Sequence, residues 1–425
     1  MIASPRRILY VNHAADLYGA SRALLHLIQS LDRDRYMPLV VLPGSGPLVA
    51  ELRALGVDPL FAPGLQTLWG HLLRSWRLLP FTLRLLPSGL ALRRVVRQCD
   101  ADLVHSNLWT LLSGTLGARL AGVPHIWHVR EILPSMGGMR SALAAFTLRS
   151  SQRVICISYA VADQFAARRG AERVRVVYDG LPIDGGQAAS GERREDRATI
   201  RGEERSAHAA QREDAQAANP KPQVSSLDDV VVGLVGRLHP QKGQADLLHA
   251  YALLDPGLRA RCRLVLAGGP SPGHERHARA LADLARQLGI AERVTFLGFV
   301  EHARALIESF DILALPATKP EGLGGVLLEA MAARVPVIAT IAGGTAEVVE
   351  DGTTGLLVAP RDPYALSRAL AQLLADPSLR GRMGAAGRRA VEQRFSAARM
   401  AAEMMSIYDE ILPPSAGVSA RHLDV

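Results

Sequence analysis

The residues best suited to chemistry lie in one short stretch, Pro320 to Glu329, which contains two glutamates eight residues apart. A glycine-rich turn follows Glu321, and we expect a helix to begin at Glu329. A strand, a glycine turn and a helix leave backbone N–H groups that bind anions. Carboxylates would repel a phosphate, but they bind the hydroxyls of a ribose or sugar on either side of it. The stretch therefore predicts a sugar-nucleotide site, also lined by Gly322, Leu323 and Gly324.

A second candidate turn follows the strand predicted at 230–235. Gly236 lets the backbone approach a ligand, and Arg237 and Lys242 supply positive charge at the carboxyl end of that strand. Open α/β sheets bind ligands at this end of their strands. An arginine and a lysine there could hold a diphosphate and stabilise it as it leaves. A salt-bridged turn is the alternative, and the two glutamates in the same half favour the diphosphate.

Four further residues lie at the ends of predicted strands or the starts of predicted helices. A loop of small residues at Gly19 precedes the first helix, and its backbone N–H groups form another candidate anion site. His128 ends a strand and is expected to face the same cleft. His105 ends another strand and competes for that role, and a purely structural histidine is the alternative. Phe299 follows a strand whose end could frame the nucleotide base.

Neither a metal nor a cofactor is predicted. Asp32 and Asp34 form an Asp-x-Asp pair, but they lie just past a helix end, where a solvated turn is favoured. The three cysteines have no ligand or pairing spacing, which indicates a reducing compartment. No apolar run reaches the length of a membrane span, and the N-terminus is interpreted as a first strand. We therefore expect a cytoplasmic protein.

Short apolar runs alternate with helical patterns along both halves of the chain. Such runs, rich in valine, isoleucine and leucine, are typical of parallel strands buried on both faces. The sequence thus predicts an α/β protein of two doubly wound Rossmann-like domains with a disordered interdomain insertion. The predicted divisions are a first domain (1–184), the insertion (185–229), a second domain (230–395), a terminal helix (396–412) and a loose tail (413–425).

The formal net charge of +8 is unevenly distributed. Residues 65–98 contain six arginines, no acidic residue, and tryptophan and leucine between them. This composition is typical of a helix on an anionic membrane surface, and amphipathic helices packed on a sheet are the equally weighted alternative. RNA-binding motifs and zinc-finger spacings are absent, so nucleic acid explains the charge least well. A membrane partner would place the protein on the inner face of the cytoplasmic membrane.

Together, these segments resemble the retaining glycosyltransferases of family four, which have the two-domain GT-B fold with its domains facing a cleft. The likeness covers nearly the whole chain apart from the insertion and the tail. It is specific because the order and the spacing of separate motifs agree. The segments that carry it are the Gly19 loop, 235–243, 294–300, 321–329 and 343–357.

The resemblance implies a role for each candidate residue. Glu329 would bind the ribose hydroxyls, and Glu321 would bind the transferred sugar. Arg237 and Lys242 would hold the diphosphate, and His128 would lie beside the anomeric centre. The resemblance also implies that the last helix crosses back to the first domain and that transfer retains the anomeric configuration.

The residues and the resemblance together predict a metal-independent hexosyltransferase, and the resemblance implies that it is a retaining one. It would move a sugar from a nucleotide diphosphate sugar to a saccharide or lipid-linked acceptor, in cell-surface polysaccharide or glycolipid biosynthesis. Leu323 and Gly325 stand where a phenylalanine and a larger apolar residue are common, so the motif does not identify the donor sugar. Arg22 stands where an acidic residue is usual, which leaves the acceptor open. A sugar-nucleotide epimerase on the same scaffold and a non-catalytic sugar-binding assembly subunit are the alternatives.

Overall fold

The computed structural model describes residues 4–65, 78–133, 138–183, 229–271, 273–300 and 303–412. The predicted tail, and all but the last residue of the predicted insertion, lie outside these residues. Residues 66–77 of the predicted basic segment also lie outside them. Within the described residues, no helix is both long and apolar enough to cross a bilayer.

The first sheet has seven strands: β1 (Arg6–Val11), β2 (Tyr36–Leu42), β3 (Leu60–Phe61), β4 (Leu103–Ser106), β5 (His125–Val129), β6 (Arg153–Cys156) and β7 (Val174–Val176). They lie in the order β3-β2-β1-β4-β5-β6-β7, and all neighbours are parallel. The side chains from Ile8 to Val11 are fully buried, as expected for a strand covered on both faces. Strand β3 has only two residues, too few to give a sequence pattern.

The second sheet has six strands: β8 (Val230–Val235), β9 (Cys262–Ala267), β10 (Val294–Gly298), β11 (Ile312–Leu315), β12 (Val337–Thr340) and β13 (Gly355–Val358). They are parallel and lie in the order β10-β9-β8-β11-β12-β13. This is the strand order of doubly wound sheets that bind dinucleotides. The first sheet has the same order with one strand added. The prediction of two doubly wound Rossmann-like domains is confirmed.

The helices of the first half are α1 (Gly19–Ser30), α2 (Pro47–Ala54), α3 (Leu78–Gln98), α4 (Leu112–Ala121), α5 (Gly138–Arg149) and α6 (Tyr159–Ala162). Those of the second half are α7 (Gln244–Ala252), α8 (Pro256–Ala260), α9 (Glu275–Gln287), α10 (Ala303–Glu308), α11 (Gly325–Ala332), α12 (Thr345–Val348), α13 (Pro363–Ala375), α14 (Pro377–Arg394) and α15 (Ala397–Ile411). Both α13 and α14 begin with a proline after a capping aspartate, Asp362 or Asp376. This is a typical helix start, since proline lacks the N–H that would be unpaired there.

The terminal helix α15 packs against the first sheet and α1, although it follows the second domain in the chain. Met400, Met404 and Tyr408 lie buried in a cluster with Ile8 and Tyr10 of β1. Ion pairs at the rim of this contact, such as that between Arg35 and Asp409 at 2.7 Å, are solvent-exposed. Exposed pairs contribute little, so apolar burial holds the helix in place.

The two domains approach each other closely at Gly322. The Ser158 hydroxyl of the first domain donates a hydrogen bond to the Gly322 carbonyl at 2.6 Å. A Cβ added to Gly322 would overlap the backbone carbonyl oxygen of Arg130, which also belongs to the first domain. Glycine at this position therefore lets the domain backbones meet.

Glu347 makes a second contact between the domains. Its carboxylate accepts hydrogen bonds from the N–H groups of Tyr159 and Ala160, each at 2.8 Å, where α6 begins. It also accepts one from the Tyr178 hydroxyl at 2.9 Å. A carboxylate is favoured at a helix N-terminus because the N–H groups there lack partners within the helix. Burial and the bond to Glu347 raise the pKa of Tyr178.

Met404→Ala should destabilise the first domain, because the fully buried side chain leaves a cavity. We expect the free energy of unfolding to fall by about 2–5 kcal/mol. All four tryptophans lie in the first half of the chain, so intrinsic fluorescence during urea unfolding reports on that domain. Glu403→Ala on the same helix removes only a partly exposed pair with Arg399, and it should cost about 0.5 kcal/mol or less. Equal losses in the two variants would contradict the packing described for α15.

Gly322→Ala should loosen the contact between the domains, since its methyl group cannot occupy the space held by the Arg130 carbonyl. Hydrogen exchange at the Tyr159 and Ala160 amides should become faster, because both donate to Glu347 across the interface. Gly325→Ala is the control, since a Cβ there meets no atom within 4 Å. Unchanged exchange in Gly322→Ala would show that the domains do not meet as described.

Candidate functional site

The candidate site lies where the carboxyl ends of the two parallel sheets meet. Strand order reverses between β1 and β4 in the first sheet and between β8 and β11 in the second. Such reversal points open a crevice beyond the strand ends, and ligands of doubly wound domains bind there. The candidate residues predicted from sequence lie at or beyond the carboxyl ends of β1, β4, β5, β8, β10 and β11.

The two glycine turns of the second domain form one platform. The Glu321 N–H donates to the Ala342 carbonyl at 3.0 Å, and the Gly344 N–H donates to the Glu321 carbonyl at 2.9 Å. A side chain on Gly343 would overlap the Glu321 carbonyl oxygen. The stretches around Glu321 and Gly343, two of the segments that carry the resemblance, are thus hydrogen-bonded to each other.

Helix α11 begins at Gly325, so the expectation that a helix begins at Glu329 is wrong. Glu329 lies in its second turn, because the helix starts directly after the left-handed Gly324, whose φ is +85°. No side chain caps this N-terminus, and Gly325 is exposed with open space beside it. The unpaired N–H groups of a first turn favour an anion at such a position. Leu323 is buried beneath the turn.

Lys242 and Glu321 form an ion pair within the second domain. The Lys242 ammonium lies 2.8 Å and 3.0 Å from the two carboxylate oxygens of Glu321. Lys242 is the last residue of a 3₁₀ turn and is followed by Gly243. Gly243 has a φ of +72°, which favours glycine, and a Cβ on it would overlap the Pro316 carbonyl oxygen. Backbone constraints on both sides therefore hold the cation and the carboxylate together. Lys242, predicted to bind the diphosphate, therefore lies beside Glu321, predicted to bind the sugar.

Arg237 follows β8 after Gly236, as predicted, and is exposed. Its guanidinium lies 5.9 Å from the ring centroid of Tyr18, just before α1 in the first domain. Gly19 is the exposed first residue of α1, and no side chain caps this helix either. The Gly19 loop and the basic turn thus face each other across the cleft. Phe299 is 67% exposed beyond β10 and lies beside Gly269.

Glu329 pairs with a cation from the other domain. The Arg22 guanidinium lies 3.7 Å from a Glu329 carboxylate oxygen. Burial raises the pKa of Glu329, and the charges of Arg22 and Arg304 partly oppose that shift. The sequence associated Arg22 with the acceptor side, whereas in the structure it lies beside Glu329, the residue predicted to bind the ribose.

The histidines of the first sheet differ in their hydrogen bonds. His125 bonds to Ser106 and Thr115 through its two ring nitrogens, and His105 bonds to Tyr408 and His128 through its two. His128 is fully buried and uses Nδ1 alone, while no partner for its Nε2 occurs among the described residues. Burial, Arg130 and His105 lower the pKa of His128 well below its usual value, so the ring is neutral.

Arg130 is a site residue that the sequence did not single out. It is 8% exposed and forms an ion pair with Asp179. It also donates to the Asn107 side-chain oxygen from Nε at 3.2 Å and from Nη2 at 3.0 Å. One side chain thus connects the loops that follow β4, β5 and β7. The signal was an arginine two residues after His128, directly after the strand His125–Val129.

The structure therefore groups the predicted residues in two sets. Lys242, Glu321 and the glycine turn form one set in the second domain. His128 belongs to the other, and the two sets are linked where Arg130 meets Gly322. Phe299 has no described contact with either set. Across the described ranges, no three His, Cys, Asp or Glu side chains gather as a metal site would require.

Comparison with known proteins gives two family matches. The model described as Glycosyltransferase Family 4 matches residues 18–184, and the one described as Glycosyl transferases group 1 matches residues 215–390. Among curated relatives, the D-inositol 3-phosphate glycosyltransferase of Streptomyces avermitilis is 33% identical over 312 residues, which are 68% of this chain and 61% of the relative. That of Stackebrandtia nassauensis is 37% identical over 191 residues, 44% of this chain and 42% of the relative. The chain thus spans less than two thirds of either relative.

Solved structures resemble the whole described fold. HepE of Anabaena, in complex with UDP and glucose, has a TM-score of 0.74 and 24% identity, covering 95% of this chain and 100% of that one. A glycosyltransferase of Rickettsia africae has a TM-score of 0.74 and 18% identity, covering 97% and 100%. These likenesses confirm the predicted GT-B fold. Because the two family models together match most of the chain, the protein belongs to the glycosyltransferases of family four.

Proposed function

We propose that the protein transfers a hexose from a nucleotide diphosphate sugar to an acceptor hydroxyl, with retention of configuration and without a metal ion. The observation that supports this best is the Lys242–Glu321 ion pair beside the uncapped N-terminus of α11. A cation and free N–H groups suit a diphosphate, and an adjacent carboxylate suits sugar hydroxyls. The similarity to HepE, which was solved in complex with UDP and glucose, supports a nucleoside diphosphate donor.

The donor would lie along the carboxyl ends of the second sheet. Its diphosphate would be bound by the first turn of α11, Lys242 and Arg237, and its ribose by Glu329. Glu321 would bind hydroxyls of the transferred sugar, beside the first domain. Gly236, Gly322 and Gly324 would let the backbone approach the ligand, and Phe299 would lie near the base.

The proposed reaction breaks the bond between the anomeric carbon and the β-phosphate oxygen. The acceptor oxygen bonds to that carbon on the same face, and its proton passes to the departing phosphate. Negative charge develops on the diphosphate, and Lys242 and Arg237 stabilise it in place of a metal. His128, neutral and buried, would lie beside the anomeric centre, where closure of the domains excludes water.

We further propose a lipid-linked saccharide as acceptor, which would place the enzyme on the inner face of the cytoplasmic membrane in glycolipid or surface-polysaccharide synthesis. The support is the outer face of α3, the described part of the predicted basic segment. Leu83, Leu86 and Leu90 are exposed there. Arg84, Arg94 and Arg97 are exposed on the same helix, and arginines beside leucines suit an anionic lipid surface.

Lys242→Ala and Glu329→Ala should each lower kcat/KM for transfer by about 10²–10³-fold, the usual cost of losing one charge-stabilising group. Release of nucleoside diphosphate from a panel of nucleotide sugars measures this, with lipid-linked saccharides and inositol phosphate as acceptors. Arg286→Ala, on an exposed helix of the second domain, is the control. Near-normal transfer in both site variants would refute the site.

The same assay separates the alternatives. An epimerase would release sugar from the nucleotide without any acceptor. A non-catalytic subunit would bind the nucleotide sugar and release no nucleoside diphosphate. A transferase requires the acceptor for full turnover.

The wild-type protein should pellet with vesicles that contain anionic phospholipid at low salt. Replacing Arg84, Arg94 and Arg97 with glutamine should release it, because each basic residue near such a surface contributes about 1 kcal/mol. The matched control replaces Arg276, Arg279 and Arg286, three exposed arginines of α9, in the same way. A wild-type protein that stays in solution, or equal release of both triple variants, would rule out binding through α3.

A further inference from the structure

A row of hydrogen-bonded side chains runs from the terminal helix to the candidate catalytic histidine. The Tyr10 and Tyr408 hydroxyls lie 2.9 Å apart, and the Tyr408 hydroxyl lies 2.8 Å from His105 Nδ1. His105 Nε2 lies 3.1 Å from His128 Nδ1. All four side chains are buried, with exposures of 1% or less. The row begins in the core beneath α15 and ends at the carboxyl end of β5.

The contact from Arg130 indicates the direction of the bonds in this row. Its Nη2 lies 3.4 Å from His128 Nδ1, and a guanidinium can only donate. His128 Nδ1 must therefore be the acceptor, which leaves the ring proton on Nε2. His105 Nε2 must then donate to His128, so its Nδ1 accepts from the Tyr408 hydroxyl. The oxygen of Tyr408 in turn accepts from Tyr10.

We propose that Arg130, directly, and Tyr408, as a positioning residue acting through His105, together hold His128 in its Nε2–H form. The transfer role of His128 rests on the proposed function, but the tautomer does not. Nε2 is the buried ring atom without a partner among the described residues, at the strand end that faces the cleft. His128 thus presents a hydrogen-bond donor to an oxygen of the bound sugar and does not act as a general base.

The opposite tautomer is disfavoured by this arrangement. A proton on His128 Nδ1 would face the N–H of Arg130, and two donors cannot bond to each other. It would also reverse the row, so that His105 Nδ1–H donates to Tyr408 and Tyr408 donates to Tyr10. The Tyr10 O–H would then have no acceptor among the described residues. Such conflicts are expensive in a fully buried network, where no water compensates.

The tautomer can be measured in the ligand-free protein by ¹⁵N NMR of histidine-labelled samples, since the nitrogen shifts of the two forms differ. The protein has 13 histidines, so the His128 signals are identified by their loss in His128→Gln. We expect the Nε2–H form in the wild type. In Tyr408→Phe we expect a mixture of forms, because His105 can then carry its proton on Nδ1 and accept from His128, and only the long 3.4 Å contact from Arg130 opposes this. A wild-type His128 protonated on Nδ1, or an unchanged signal in Tyr408→Phe, would overturn the proposal even if transfer is confirmed.

Kinetics give a second readout. Tyr408→Phe should lower kcat about tenfold or more, because His105 Nδ1 loses its buried donor, while KM for the donor stays the same. Tyr10→Phe should have a smaller effect, since Tyr408 can still donate to His105. Tyr251→Phe removes a buried hydroxyl bonded to the Cys262 carbonyl and controls for stability. Equal kcat in Tyr408→Phe and Tyr251→Phe would contradict the positioning role. A wild type without transfer would instead refute the proposed function and leave the NMR test intact.

Discussion

The arrangement of the cleft depends on one contact that has no room for a side chain. Gly322 and the Arg130 carbonyl bring the two domains together backbone to backbone. Gly322 adjoins Glu321, and Arg130 is two residues from His128, so this contact sets the distance between the two halves of the site. A larger residue at Gly322 would separate them, because the densely packed contact leaves no space for an added side chain. The contact between the domains thus also positions the two halves of the site.

Electrostatics in the cleft follow a consistent pattern, in which carboxylates lie beside cations. Lys242 pairs with Glu321, Arg22 with Glu329, and Arg130 with Asp179. Only the second of these pairs joins the two domains. A nucleotide sugar that engages Glu329 through hydroxyls would compete with Arg22, which links donor binding to the relative position of the domains. Pairing of this kind also offsets the cost of burying each charge.

Much of this could be predicted from the sequence, because its signals are local. Runs such as 312–315 indicate buried parallel strands, and the glycine turn after them has few alternative conformations. The helix start at Gly325 was misjudged since an apolar sequence directly after glycines contains no capping side chain. Arg130 and Tyr408 were missed for another reason: their partners are distant in sequence, and only the packed sheet brings them together. The one signal for Tyr408 was a hydroxyl in an otherwise apolar helix face.

The position of α15 also has a consequence for how the chain folds. Residues 397–411 complete the core of a domain whose first strand begins at residue 6. During synthesis, the part of the first sheet that α15 covers, around Ile8 and Tyr10, therefore lacks this cover until residues 397–411 have left the ribosome. The second domain has no such requirement, since its strands and the helices between them are contiguous. The first domain to be made is thus the last to be finished, and during that interval it is the part most exposed to aggregation.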